Sequence, residues 1–287
     1  MTIGMNNLGR NGRLGNQMFQ YAALVGIAKQ CGYDFKIPDY CDLPRGFEML
    51  HCGDRYGLIE GDEVELHDSH EFCEELFKEC PNHITLNGYF QTEKYFKDAE
   101  KLIRLDFRFK KEIEGKVEEL FGEYLKQRPV SLCIRDYNDV FDYAGCANNH
   151  GNLPMTYWDK AIEILGKDRV YIICSNNVEK FKDYFKGDNF IFQDKSNEYW
   201  FEHEPELRLE KQFFDLCLIS KCHDFVISNS TFSWWGAWLG RRGRHPDPNM
   251  KGIGGRVIAP VPWYGPGLSN VSTADLYPQE WEKIEWK

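Results

Sequence analysis

The stretch Arg128-Pro129-Val130-Ser131-Leu132-Cys133-Ile134-Arg135-Asp136-Tyr137 decides the fold. Proline at 129 disfavours continuing the charged helix that reads over about Lys111 to Gln127. The residues after it are largely apolar and end on an Arg-Asp pair, the pattern of a strand buried on both faces. Downstream the periodicity alternates. Pro154 to Leu165 reads as a helix opened by proline, Val170 to Cys174 as a strand, and Phe190 to Phe192 as another. A helix around Pro205 to Cys222, a strand over Phe225 to Ser228 and a helix over Phe232 to Leu239 follow, with a last strand at Val257 to Ala259. Strand–helix alternation predicts parallel sheets covered by helices.

Upstream, the glycine-rich turn Gly9-Arg-Asn-Gly-Arg-Leu-Gly15 leads into an apolar-periodic helix over Asn16 to Gln30, with Gly32 placed to end it. A short strand is expected at Tyr33 to Ile37, an irregular acidic stretch after it, and an extended segment near Ile84 to Phe90. The 287 residues suit two domains. The Arg128-Pro129 break puts them at 1–129 and 130–287.

Composition narrows the function. Lys plus Arg number 35 against 45 Asp plus Glu, a formal charge of −10. So acidic a chain lacks the surplus positive charge that nucleic-acid binding draws on. Hydrophobic content of 42% argues for a folded core. No apolar run is long enough to span a bilayer, and the first residues lack the pattern of a secretory signal, so a cytoplasmic protein is expected. The ten cysteines are scattered without a Cys-x-x-Cys pair, which predicts free thiols rather than a zinc site or disulfide framework.

Three segments can carry chemistry. The loop Gly12-Arg13-Leu14-Gly15-Asn16 feeds a helix N-terminus, where backbone N–H groups and the helix dipole suit an anion, and Arg13 adds a fork of donors. Arg135 ends a strand, at the edge where open α/β sheets bind ligands. The turn Ser228-Asn229-Ser230-Thr231-Phe232 runs from a strand into an aromatic helix and offers hydroxyls and N–H groups of the kind that hold a diphosphate. The tryptophans after it, at 234, 235 and 238, read as core. His67 and His70 lie three apart without a clear third ligand, and Arg241, Arg242, Arg244 and His245 form a basic loop, read as solvated but able to touch a membrane surface.

Together these segments resemble the α-1,2-fucosyltransferase family. The resemblance rests on Gly12-Arg-Leu-Gly-Asn-Gln-Met-Phe-Gln-Tyr-Ala22 and Asn229-Ser-Thr-Phe-Ser-Trp-Trp-Gly-Ala-Trp-Leu239. Between them lie Asn87-Gly-Tyr-Phe-Gln-Thr-Glu-Lys-Tyr-Phe96 and His150-Gly151 before Leu153-Pro154, and after them comes Val257-Ile-Ala-Pro260, all in family order. It implies two Rossmann-like domains facing a cleft, the GT-B arrangement. The N-terminal domain would lie on the acceptor side and the C-terminal domain on the side of the nucleotide-sugar donor. The implied reaction is inverting and metal-independent: transfer of L-fucose from GDP-fucose to a galactose-type 2-hydroxyl of a glycan, with no cofactor. The implied donor-binding residues are Arg13, Asn16, Cys133, Arg135, Ser175, Asn176, Asn177, Asn229, Ser230, Thr231 and Phe232, with Arg135 and Asp136 as catalytic residues. Asp139, Asp142 and His150 are further candidates for the base that deprotonates the acceptor. No Asp-x-Asp pair, the usual mark of metal-dependent glycosyltransferases, occurs.

Two departures from the family pattern carry weight. Where the family has His-x-Arg-Arg-Gly-Asp-Tyr, this chain has Cys133-Ile-Arg135-Asp136-Tyr137, and where the family has Ser-Asp-Asp it has Ser175-Asn176-Asn177. A carboxylate offers two acceptors to the two donors of a guanine edge, whereas an asparagine offers one acceptor and one donor. The substitutions therefore raise a donor base other than guanine as an alternative on the same scaffold. A second alternative is an inactive relative that binds nucleotide or glycan without transfer.

Overall fold

The computed structural model describes residues 1–65, 71–139, 145–194, 208–241 and 255–287. They form two compact units, Met1–Lys110 with Asn270–Gln279, and Lys111–Ser269 with Glu280–Lys287.

The first unit is built on β1 (Thr2–Gly4), α1 (Leu14–Cys31), β2 (Asp34–Lys36), α2 (Leu43–Gly46), β3 (Asp62–Glu65), α3 (Glu74–Glu79), β4 (Ile84–Asn87) and α4 (Glu100–Asp106). Its four strands run in the order β2-β1-β4-β3, all parallel. Helix α1 is buried on nearly every side from Leu14 to Ala28, which explains its almost uninterrupted apolar sequence. Gly32, with φ of +67°, ends it. The N–H of Gly32 bonds Lys29 C=O and that of Tyr33 bonds Ala28 C=O, at 3.3 and 2.8 Å, the pair of bonds that closes a helix through a left-handed residue. Strands β1 and β3 escape a sequence reading. One has three residues beside a glycine turn, the other is Asp-Glu-Val-Glu, and neither has the length or alternation that marks a strand.

The second unit contains α5 (Lys111–Leu125), β5 (Val130–Ile134), α6 (Cys146–His150), α7 (Met155–Leu165), β6 (Tyr171–Ser175), α8 (Glu179–Lys182), β7 (Phe190–Phe192), α9 (Arg208–Lys221), β8 (Asp224–Val226), α10 (Thr231–Gly240), β9 (Val257–Val261) and β10 (Glu282–Glu285). Its six parallel strands are ordered β10-β9-β8-β5-β6-β7. Every residue of β5 is buried. Alternation along it sends Val130, Leu132 and Ile134 into a core with Tyr157, Trp158, Ala161 and Ile162 of α7, and Ser131 and Cys133 to the opposite face. Trp234 and Trp235 of α10 are fully buried and Trp238 nearly so, as core residues.

Two expectations need correction. The boundary at 129/130 falls inside the second unit, because α5 packs on α9: Phe121 and Phe214 lie 6.2 Å apart and Lys221 bonds Glu114 at 3.2 Å. Nor is Val257 the start of the last strand. β10 follows it as an edge strand in which only Ile284 of Glu-Lys-Ile-Glu is buried, too charged to read as a strand from sequence. All ten cysteines are free thiols. No helix among the described residues is long and apolar enough to cross a membrane.

Candidate active site

In the second sheet the chain order reverses between β5 and β8. Open parallel sheets bind ligands beyond the carboxyl ends of the strands at such a reversal. The segments marked by sequence stand there: Arg135-Asp136-Tyr137 after β5, Ser228 to Phe232 running from the end of β8 into the first turn of α10, and, one strand further, Ser175-Asn176-Asn177 at the end of β6.

These turns are tied to one another. The Tyr137 hydroxyl donates to Asn229 C=O at 2.6 Å, in a buried bond, and Tyr137 N–H donates to Asn152 Oδ1 at 2.7 Å. Asn229, 1% exposed, turns its side-chain amide inward, where Nδ2 donates to His150 C=O, Gly151 C=O and Trp263 C=O at 2.6, 3.0 and 3.1 Å. One amide thus holds three loop carbonyls together. The His150 ring lies nearly flat on Tyr137, with centroids 4.7 Å apart, and 5.7 Å from Tyr264. Arg135 is half-buried, its guanidinium carbon 5.7 Å from the centre of the Tyr137 ring.

Ser230 precedes α10 in an extended conformation (φ −135°, ψ 129°) and its hydroxyl makes no capping bond. The first intrahelical bond runs from Trp234 N–H to Ser230 C=O at 3.0 Å. That bond opens α10, and a helix start is where an anion is received. The Ser233 hydroxyl instead holds the turn, donating to Ser228 C=O and Ser230 C=O at 3.1 and 2.9 Å.

Asp136 is buried, at 3% exposure. Its Oδ1 accepts Asn138 N–H at 3.1 Å, and its Oδ2 accepts Lys180 Nζ at 2.6 Å and, at a long 3.4 Å, Asn177 Nδ2. A general base must come within hydrogen-bond reach of the hydroxyl it deprotonates, and this carboxylate is occupied by its own chain. Asn176 pairs with the main chain of Asp136, and Ser175 Oγ accepts Asn177 N–H at 3.0 Å. Cys133 is 4% exposed, and burial pushes its thiol up to about 12, so it is neutral at ordinary pH. Lys180 and Asn152 escape a sequence reading, since their contacts join loops far apart in the chain.

In the first unit the chain order reverses between β1 and β4, and the glycine loop lies there. Gly12 has φ of +84°, and a Cβ on it would stand 2.2 Å from Asn16 Nδ2, so both the backbone and the close approach require glycine. Arg13 is exposed at the start of α1 without a side-chain cap bond. Asn16 Oδ1 accepts Gln91 Nε2 at 3.2 Å, and Gln20 Nε2 bonds Asn11 C=O and Gly88 C=O at 3.3 and 3.0 Å. The loop and the segment after β4, both quoted in the family pattern, are thus cross-linked by glutamines. Asp142, His67, His70, Arg242, Arg244 and His245 lie outside the described residues. Among the described residues no group of three or more His, Cys, Asp or Glu is placed to hold a metal ion.

Residues 70–245 match the family described as Glycosyl transferase family 11. An α-1,2-colitosyltransferase of Escherichia coli is 27% identical over 96% of this chain and 97% of its own length. The O-antigen biosynthesis glycosyltransferase WbnK of the same organism is 36% identical over 31% of this chain and 28% of its own. Among solved structures, the fucosyltransferase NodZ from Bradyrhizobium shares the fold, with a TM-score of 0.55 at 13% identity over 84% of this chain and 92% of NodZ. With the family pattern matched over more than half of the sequence, on an α/β frame of parallel sheets, the chain belongs to glycosyl transferase family 11 and is a glycosyltransferase.

Proposed function

We propose that the enzyme moves an L-fucose-type sugar from a guanosine-diphosphate donor to the 2-hydroxyl of a galactose-type residue in a glycan, with inversion at the anomeric carbon. The observation that carries this is the direct bond from Tyr137 to Asn229, which sets Arg135 and the start of α10 on either side of the β5/β8 reversal. The acceptor oxygen bonds to the anomeric carbon while the bond from that carbon to the diphosphate oxygen breaks. The electron pair leaves on the diphosphate, and the hydroxyl proton passes to a base or to water. Developing charge on the leaving group is met by Arg135 and by the positive N-terminal end of α10, fixed groups that need no reorganisation. Asp136 serves as an anchor for its turn. In this reading the charge is stabilised by protein groups alone, so transfer persists in excess chelator.

The colitosyltransferase relative favours one variation. Colitose is L-fucose without its 3-hydroxyl, so either sugar suits a donor site of the same outline. The alternative of a different base rests on Cys133, Asn176 and Asn177, and of these Asn176 has its amide paired with the main chain of Asp136. The test offers GDP-fucose, GDP-colitose, UDP-galactose and dTDP-rhamnose with simple β-galactosides and reads products by mass spectrometry. Transfer from a GDP-sugar is expected. Transfer only from UDP- or dTDP-sugars would refute the donor assignment, and GDP bound without any turnover would mark a binding protein.

A further inference from the structure

Asn176 occupies a position where its chemistry is used twice. Its Oδ1 accepts Asp136 N–H and its Nδ2 donates to Asp136 C=O, both at 2.9 Å. Main-chain pairing of β5 with β6 runs from Val130 with Tyr171 to Ile134 with Ser175. The Asn176 side chain prolongs that ladder past the end of the strands. Only a side chain with one acceptor and one donor on the same planar group can do so; a carboxylate would set its lone pairs against those of Asp136 C=O.

The bonded Asp136 N–H belongs to the peptide plane it shares with Arg135 C=O. Fixing that rigid plane fixes the exit of the chain from Arg135. The rest of the surroundings hold the same unit. The buried Asp136 carboxylate is neutralised by Lys180 and capped by Asn138 N–H, so the turn can be buried without an unpaired charge. These two bonds use one acceptor and one donor site of the Asn176 amide and leave one lone pair and one N–H.

We propose that Asn176 is a positioning residue for Arg135. It aims the guanidinium by clamping the main chain of the following residue. The inference rests on the reading that Arg135 carries the donor diphosphate, and the experiment separates the two. GDP affinity is measured by calorimetry for the intact protein and for Arg135→Ala, Asn176→Ala, Asn176→Asp and the double variant Arg135→Ala/Asn176→Ala. UDP is measured alongside, and thermal midpoints report folding.

Arg135→Ala weakens GDP by roughly tenfold or more, as loss of a charge-assisted contact does. Asn176→Ala weakens it roughly three- to tenfold, but adds less than about twofold once Arg135 is gone, because residues acting as a unit are not additive. Asn176→Asp keeps the bond to Asp136 N–H and loses the other, and falls in the same direction. The preference for GDP over UDP is unchanged in both. Equal losses with and without Arg135, a changed base preference, or failure of both Asn176 variants to fold would each overturn the inference. Full GDP affinity in Arg135→Ala would instead refute the reading beneath it.

Discussion

The hydroxyl of Tyr137 and the main-chain carbonyl of Asn229 are 2.6 Å apart in a buried hydrogen bond, and that bond joins the turn after β5 to the turn after β8. Tyr137→Phe removes the donor and leaves the carbonyl buried, a loss of about 1–3 kcal/mol. Because the two turns bear Arg135 and Ser230, turnover should fall by more than the stability loss accounts for at temperatures where the variant is fully folded. Urea unfolding and steady-state kinetics on the same preparation check both. Wild-type kcat in Tyr137→Phe would show that the turns hold their places without it.

At the opposite end of β8, Asp224 lies among hydrogen-bonding partners. Burial raises its pKa, but bonds from His223 Nδ1 at 2.9 Å, the Arg169 guanidinium and Arg256 N–H at 2.5 Å outweigh it, and the net shift is downward. A carboxyl lowered in the folded state contributes stability that is present above its unfolded value of about 3.9 and is lost as pH falls through the folded value. Asp224→Asn should therefore destabilise at neutral pH, by about 3 kcal/mol where a buried pair loses one partner. It should also flatten the acid limb of stability below about pH 4. Urea midpoints from pH 7 to pH 3 give the answer: parallel curves for variant and wild type would contradict the linkage.

What was legible in the sequence follows from which interactions are local. The strand at Val130–Ile134, the helix at Met155–Leu165 and the close of α1 at Gly32 depend on apolar runs, proline and glycine within a few residues. The three tryptophans of α10 read correctly as core for the same reason. Strand β10 was illegible because only Ile284 faces inward. The site was legible as residue types but not as roles. The sequence does not show that Lys180, 44 positions away, sits on Asp136, or that the Asn229 amide meets three loop carbonyls. Contacts between loops of a parallel sheet leave no periodic trace.

Gly26 sits in the middle of α1, where two effects oppose each other. Alanine in a helix interior is favoured over glycine by about 1 kcal/mol. A Cβ at this position, however, would stand 1.8 Å from Tyr95 C=O oxygen and 2.8 Å from its carbon. Main chain cannot rotate aside as a side chain can, so the helix must shift away, a cost of about 1–3 kcal/mol or more. Gly26→Ala should be destabilising, with a thermal midpoint lowered by several degrees. A raised midpoint would mean that the approach of the Tyr95 segment to α1 is looser than this geometry.

Ser230 separates stability from function most sharply. An N-terminal serine usually caps its helix, and its replacement by alanine costs about 0.5–2 kcal/mol. Here the hydroxyl makes no capping bond, while the Ser233 hydroxyl holds the turn through Ser228 C=O and Ser230 C=O. Ser230→Ala should thus unfold within about 0.5 kcal/mol of wild type, as a substitution away from structural contacts does. If the start of α10 receives the diphosphate, the same variant should weaken GDP by several-fold. The control is Ser233→Ala, which loses a hydroxyl proton shared between the Ser228 and Ser230 carbonyls and should be less stable by about 1–3 kcal/mol. A Ser230→Ala protein that is destabilised yet binds GDP normally would make that hydroxyl a structural cap and remove it from the donor site.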